Sequence, residues 1–260
     1  PTLLQKKAEK CVEAFKAYKR GINPISKSQK QLYGKFEGIM KCKVQYEDFR
    51  DIIESRLLKF KQEKKHLLKE YTKDNDIDNP LGNLSEQIAI QMDLLKKHGV
   101  RVQVYDLESD KGLRNLEKYE NELIMNLMEC VTSQGTLYPR VFDRKLQFNP
   151  EFFSLEQVKW IIKNFYSTVE MKIKGKWIFC GLAFGKYRKD PTRYSKQLNC
   201  GLLFPKIFRG YGLAKLLTII SLYASREKFD IIFEESTVRN YAVHNLVGRL
   251  GFKEYGVLRN

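Results

Sequence analysis

In the run Arg209-Gly210-Tyr211-Gly212-Leu213-Ala214, two glycines stand between an extended apolar stretch and an apolar helix pattern over residues 213–226. Glycine lets a backbone approach an anion closely, and the free N–H groups of a helix's first turn face it with the positive end of the helix dipole. Phosphate or pyrophosphate is the natural guest. Spacing narrows the choice: Lys215 stands where the dinucleotide fingerprint has its third glycine, and GxxxxGK[ST] occurs nowhere. Further on, Glu234 and Glu235 follow Ile231, Ile232 and Phe233 in a strand-like stretch. Neighbouring strand residues face opposite sides, so the two carboxylates cannot both address one cleft. Other chemistries lack their residues. His66, His98 and His244 form no pair at ligand spacing, GxSxG is absent, and Asp74, Asp76 and Asp78 lack the glycine and glutamate of a calcium loop. No metal site is expected. Cys11, Cys42, Cys130, Cys180 and Cys200 are odd in number and never CxxC, which points to a reducing compartment without a disulfide framework.

The glycine turn, as R-x-x-G-x-A, resembles the pyrophosphate loop of the GNAT superfamily of acyl-CoA-dependent N-acyltransferases. A second stretch supports the resemblance: Asn240 is followed eleven residues later by Gly251-Phe252 across a helix pattern, similar to the family's closing motif. The likeness is specific over residues 197–252, extends as a topology over 99–260, and is absent from 1–98. It implies acetyl-CoA, or another acyl-CoA, as the donor. Leu202, Leu203 and Phe204 would pair through their backbone with the pantetheine arm. The amides of Gly210, Tyr211, Gly212, Leu213, Ala214 and Lys215 would hold the pyrophosphate, with Arg209 and Lys215 adding positive charge and Asn240 hydrogen-bonding the arm. Glu235, five residues before Asn240, matches the base glutamate of one subset of the family; residues 197–204 hold no carboxylate, so the base position common in other members is empty here. The tyrosine that commonly serves as acid is replaced by Val247. The implied activity is transfer of an acyl group, most simply acetyl, to an amine on a protein or small molecule. The alternatives are a GNAT-like scaffold without catalysis that works through its helices, and a basic nucleic-acid-binding protein.

Positioning these residues requires a fold of mixed α and β elements. The order strand, glycine turn, helix, strand from residue 197 onward calls for a parallel crossover, whose ligands bind at the carboxyl ends of the strands. Residues 168–174, 176–186 and 197–204 read as strands, 230–236 as another, and Val100, Val102 and Val104 alternate as a first strand after Gly99. Helices are expected over 113–131, from Ser154 onward, and over 213–226. Before Gly99 the apolar period is helical throughout: Leu4 to Tyr18, then Leu32, Phe36 and Met40, then Tyr46 to Tyr71, then residues 84–98. The fold class is therefore α+β, a GNAT-like central mixed sheet flanked by helices. An all-helical module over 1–98 precedes the sheet domain of 99–260 and is expected to serve partner recognition.

The chain of 260 residues is 43% hydrophobic, enough for a sizeable core, and carries 47 Lys and Arg against 31 Asp and Glu, a net charge of +16. That balance favours anionic partners without choosing among them, and nucleic acid is supported by it alone. The longest apolar stretch, residues 216–224, is far below the roughly 20 residues of a membrane span. The chain begins at Pro1, as a trimmed or excised polypeptide would. An intracellular location, cytoplasmic or nuclear, is expected.

Overall fold

The computed structural model describes residues 27–74, 80–134, 154–162, 164–189, 196–233 and 241–254. The helix expected over Leu4 to Tyr18 lies outside them. Within them, α1 (Lys27–Asp48), α2 (Arg50–Asp74) and α3 (Pro80–Lys97) lead into β1 (Val100–Asp106). Next come α4 (Asp110–Lys118), α5 (Glu120–Gln134), α6 (Leu155–Ile162), β2 (Phe165–Ile173), β3 (Lys176–Lys189) and β4 (Lys196–Leu203). After the glycine turn follow α7 (Leu213–Ser225), β5 (Ile231–Phe233) and α8 (Tyr241–Arg249). Strands lie side by side in chain order; β1 to β4 are antiparallel, and β5 runs parallel to β4 through Gln197↔Ile231, Leu198↔Ile232 and Asn199↔Phe233. This is the expected mixed sheet with helices on both faces.

Strand alternation sorts the helices. Tyr166 sends its hydroxyl to Gly112 O of α4 (2.6 Å), whereas its neighbour Ser167 hydrogen-bonds Ser221 of α7. The α4 face also receives α1: Tyr46 donates to Phe179 O at 2.7 Å, and the Tyr119 and Phe179 rings meet at 5.3 Å. Under α4, the fully buried Glu170 pairs with Arg101. Helix α2 passes across the end of the sheet where β4 finishes, Arg56 donating to Lys172 O at 2.6 Å.

Two expectations change. The single helix read over 113–131 is broken at Tyr119, whose ring turns into the sheet against Phe179. And the core does not divide at 98/99. Ile39, Tyr46, Ile53, Leu57, Phe60 and Leu95 from the helices belong to one buried cluster with Val169, Met171, Phe179, Leu203 and Leu217 from the sheet domain. The change of period at Gly99 marks a change of element type, and packing crosses it.

Between α1 and α5, the Glu122 carboxyl is held above the usual carboxylate range by burial; its own backbone, the Cys42 thiol and Lys118 offset part of the rise. Burial, with Glu122 beside it, pushes the Cys42 thiol up to about 12. A carboxyl whose folded pKa is raised favours the native state while protonated, and the parent loses that stability as pH climbs above the unfolded value through the folded one. Glu122→Gln keeps an acceptor for the thiol without the charge. It is expected to raise the free energy of chemical unfolding at pH 7–8 by the ~0.5–2 kcal/mol usual for stabilising substitutions, with the gain shrinking toward pH 4. A gain that is the same at pH 4 and pH 8 contradicts this.

Candidate CoA-binding site

The glycine turn sits where its sequence predicts. β4 ends at Leu203, a 3-10 turn (Lys206–Phe208) follows, and the chain enters α7 through Gly210 and Gly212, both left-handed at φ +86° and +83°. Both are exposed, and Gly212 caps α7 without a side-chain hydrogen bond to its first turn. A left-handed L-residue costs roughly 1–2 kcal/mol, so glycine at these positions is a backbone requirement. Close packing behind β4 makes a second demand: a Cβ on Gly181 of β3 would lie 2.3 Å from the Phe204 ring. Phe208 is buried beneath the turn, its ring 5.3 Å from that of Tyr46 in an edge contact.

Leu202 and Leu203 close β4 beyond its described pairing with β5, and Phe204 is buried just past the strand. The Phe204 carbonyl accepts from Arg209 Nε at 2.7 Å, so this guanidinium braces the turn. Tyr211 is half-buried; burial and the charge of Glu54 raise its phenol pKa, with Arg50 opposing. Leu213 is buried, while Ala214 and Lys215 are half-buried on the first turn of α7. Behind them a narrow apolar cleft separates β4 from α7 and α8, lined by Leu198, Cys200, Leu202, Leu222, Leu246 and Val247. Val247 therefore lies in an apolar lining, as the helical stripe Val243, Leu246, Val247 and Leu250 requires. Glu235 and Asn240 lie outside the described residues.

The closing motif has a physical explanation at its other end. Gly251 is left-handed at φ +86° and donates to Gly248 O at 3.1 Å, while Phe252 donates to Val247 O at 3.1 Å. This pair of bonds is the Schellman cap of α8, and Phe252 and Val247 both line the apolar cleft.

One residue near the turn escaped sequence reasoning. Lys64 of α2 brings its Nζ within 3.4 Å of where a Cβ on Gly212 would stand. In the sequence it is one more lysine in the run Glu63-Lys64-Lys65, with no local signal to single it out.

No protein-family model and no curated protein matches the chain. Among solved structures it is similar to a GCN5-related N-acetyltransferase from Kribbella flavida, at 19% identity over 60% of this chain and 85% of that one, with a TM-score of 0.43. It is also similar to a possible acetyltransferase from Clostridium difficile, at 12% identity over 61% and 95%, with a TM-score of 0.43. An aminoglycoside N-acetyltransferase in complex with CoA is 15% identical over 62% and 94%, with a TM-score of 0.42. The strand order decides the architecture: four antiparallel strands, then a parallel fifth reached through a glycine turn and an apolar helix. The fold is α+β, a mixed sheet with helices on both faces. In this frame Arg209, Gly210, Tyr211, Gly212, Leu213, Ala214 and Lys215 cluster at the carboxyl end of β4, where such crossovers bind ligands. Among the described residues, no group of His, Cys, Asp and Glu is arranged to hold a metal ion, and no helix is long and apolar enough to cross a membrane.

Proposed function

We propose that this protein is an acyl-CoA-dependent N-acyltransferase, with acetyl-CoA as donor and an amine on a protein or small molecule as acceptor. One observation carries the reading: two exposed left-handed glycines open an uncapped, apolar 13-residue helix at the carboxyl end of β4, beside Lys215. The donor set is amide N–H and ammonium, which suits a pyrophosphate. Leu202 and Leu203 would pair with the pantetheine arm, and Asn240 would hydrogen-bond it. The bound thioester supplies an electrophilic acyl carbon. Glu235, directly or through a water, takes a proton from the acceptor's ammonium so that the neutral amine can form the new C–N bond as the C–S bond breaks. With Val247 in an apolar lining, the proton for the departing sulfur comes from solvent.

Thermal melting with acetyl-CoA, longer acyl-CoAs, NAD and ATP tests the reading. At about 100 times Kd a ligand adds roughly 2.7 kcal/mol, which at ~2–4 °C per kcal/mol raises Tm by roughly 5–10 °C. CoA species are expected to produce that rise and NAD none; a flat response to every CoA species sinks the proposal. Gly210→Ala and Gly251→Ala form a matched pair. Both positions have φ +86° and open space around a Cβ, so each substitution is expected to cost ~1–2 kcal/mol of stability. Only Gly210→Ala should also lose the CoA-induced shift.

A further inference from the structure

The helix expected to recognise a partner crosses the anion-binding end of the sheet. Helix α2 lies against the 3-10 turn 206–208, Glu54 and Arg50 act on Tyr211, and one turn past the buried Phe60 the Lys64 ammonium reaches Gly212. Lys64 Nζ stands 5.6 Å over the Phe60 ring. The charged group that acts on it is Lys215, from the first turn of α7, so two ammonium groups share the mouth of the glycine turn with the positive end of a helix. Neither lysine has a carboxylate partner among the described residues, although nearby lysines do: Lys97, for example, binds Glu63 at 2.8 Å. Burial first, and the charge of Lys215 second, pull the Lys64 pKa down to about 8. A half-buried cation set beside a second cation, without a counter-ion among the described residues, is unfavourable and is relieved by an anion.

We propose that Lys64 is a phosphate ligand of the glycine-turn site, supplied across the fold by α2, so that the N-terminal helices form part of the cofactor's own binding site. The identity of the phosphate compound as CoA rests on the function proposed above; the anion site itself does not.

Calorimetric titration of the full chain with CoA and, separately, with inorganic pyrophosphate tests it. Lys64→Met is expected to weaken both roughly 10- to 100-fold, the usual worth of a charge-assisted hydrogen bond. The same variant without ligand should melt at the parent's temperature or a few degrees above it, because the unpaired charge is gone. Lys64→Arg should restore most of the affinity. Between pH 7 and 9 the parent should lose about tenfold in affinity as Lys64 deprotonates, while Lys64→Arg, charged throughout, should not. If Lys64→Met binds CoA as tightly as the parent, the inference falls and the CoA reading stands. If binding is lost together with a fall of several degrees in the ligand-free Tm, Lys64 is a structural lysine and the inference is overturned. Lys64-dependent binding of pyrophosphate without CoA binding upholds the anion site and removes the CoA reading. Binding of neither probe by the parent removes both.

Discussion

A fragment beginning at Gly99 is expected to fail as a folded protein, emerging insoluble or without a cooperative melt. Ile53, Leu57, Phe60 and Leu95 are completely buried, and Tyr46 nearly so, in a cluster shared with the sheet. Burying one such side chain contributes roughly 1.5–3 kcal/mol, so losing even a few of these contacts consumes the ~5–15 kcal/mol by which domains are stable. The cut also uncovers Phe179 and Phe208, against which Tyr46 packs, and frees the Lys172 carbonyl from Arg56. Size-exclusion chromatography and far-UV dichroism on the fragment are the check. A monomer with a single sharp melt that still responds to CoA would restore the two-module organisation with its boundary at 98/99.

The largest kinetic effect is expected from Glu235→Gln. The amide keeps shape and polarity but accepts no proton at neutral pH, so turnover should fall by the ~10²–10⁴-fold typical of a lost general base, while the CoA-induced rise in Tm persists. The parent's rate should climb with pH through an acidic or near-neutral limb as the carboxylate ionises, and that limb should vanish in the variant. Release of free CoA in the presence of amine acceptors reports the rate. Normal turnover of the variant across that range removes Glu235 from the mechanism. A parent that never releases CoA to any amine leaves the scaffold alternative standing. Val247→Tyr, which supplies the acid common among GNAT acyltransferases, should raise the rate or leave it unchanged, provided that the phenol fits the apolar cleft.

The parts of the architecture visible in the sequence are those written by local chemistry. Glycines at 210, 212 and 251 announce left-handed turns, Ser154 announces the start of α6 by accepting from Gln157 N at 3.2 Å, and the change of apolar period at Gly99 announces β1. Tertiary contacts stayed hidden. The apolar period runs unbroken through Tyr119, yet α4 ends there, where the Tyr119 ring packs against Phe179 of the sheet. Helical spacing in α1 and α2 shows that they have a buried face but not what buries it, so a shared core reads as a separate module. Lys64 belongs to the same class: its chemistry comes from Gly212 and Lys215, some 150 positions further along the chain.

The hydrogen bond from Tyr46 to Phe179 spans 133 residues. At the ~5–20 residues per second of protein synthesis, α1 has left the ribosome roughly 7 to 27 s before the strand that buries it. Throughout that interval the stripe of Tyr46, Ile53, Leu57 and Phe60 lacks the sheet residues with which it shares a core. These amphipathic helices thus await their sheet during synthesis, and the shared core forms only late, once β3 has emerged.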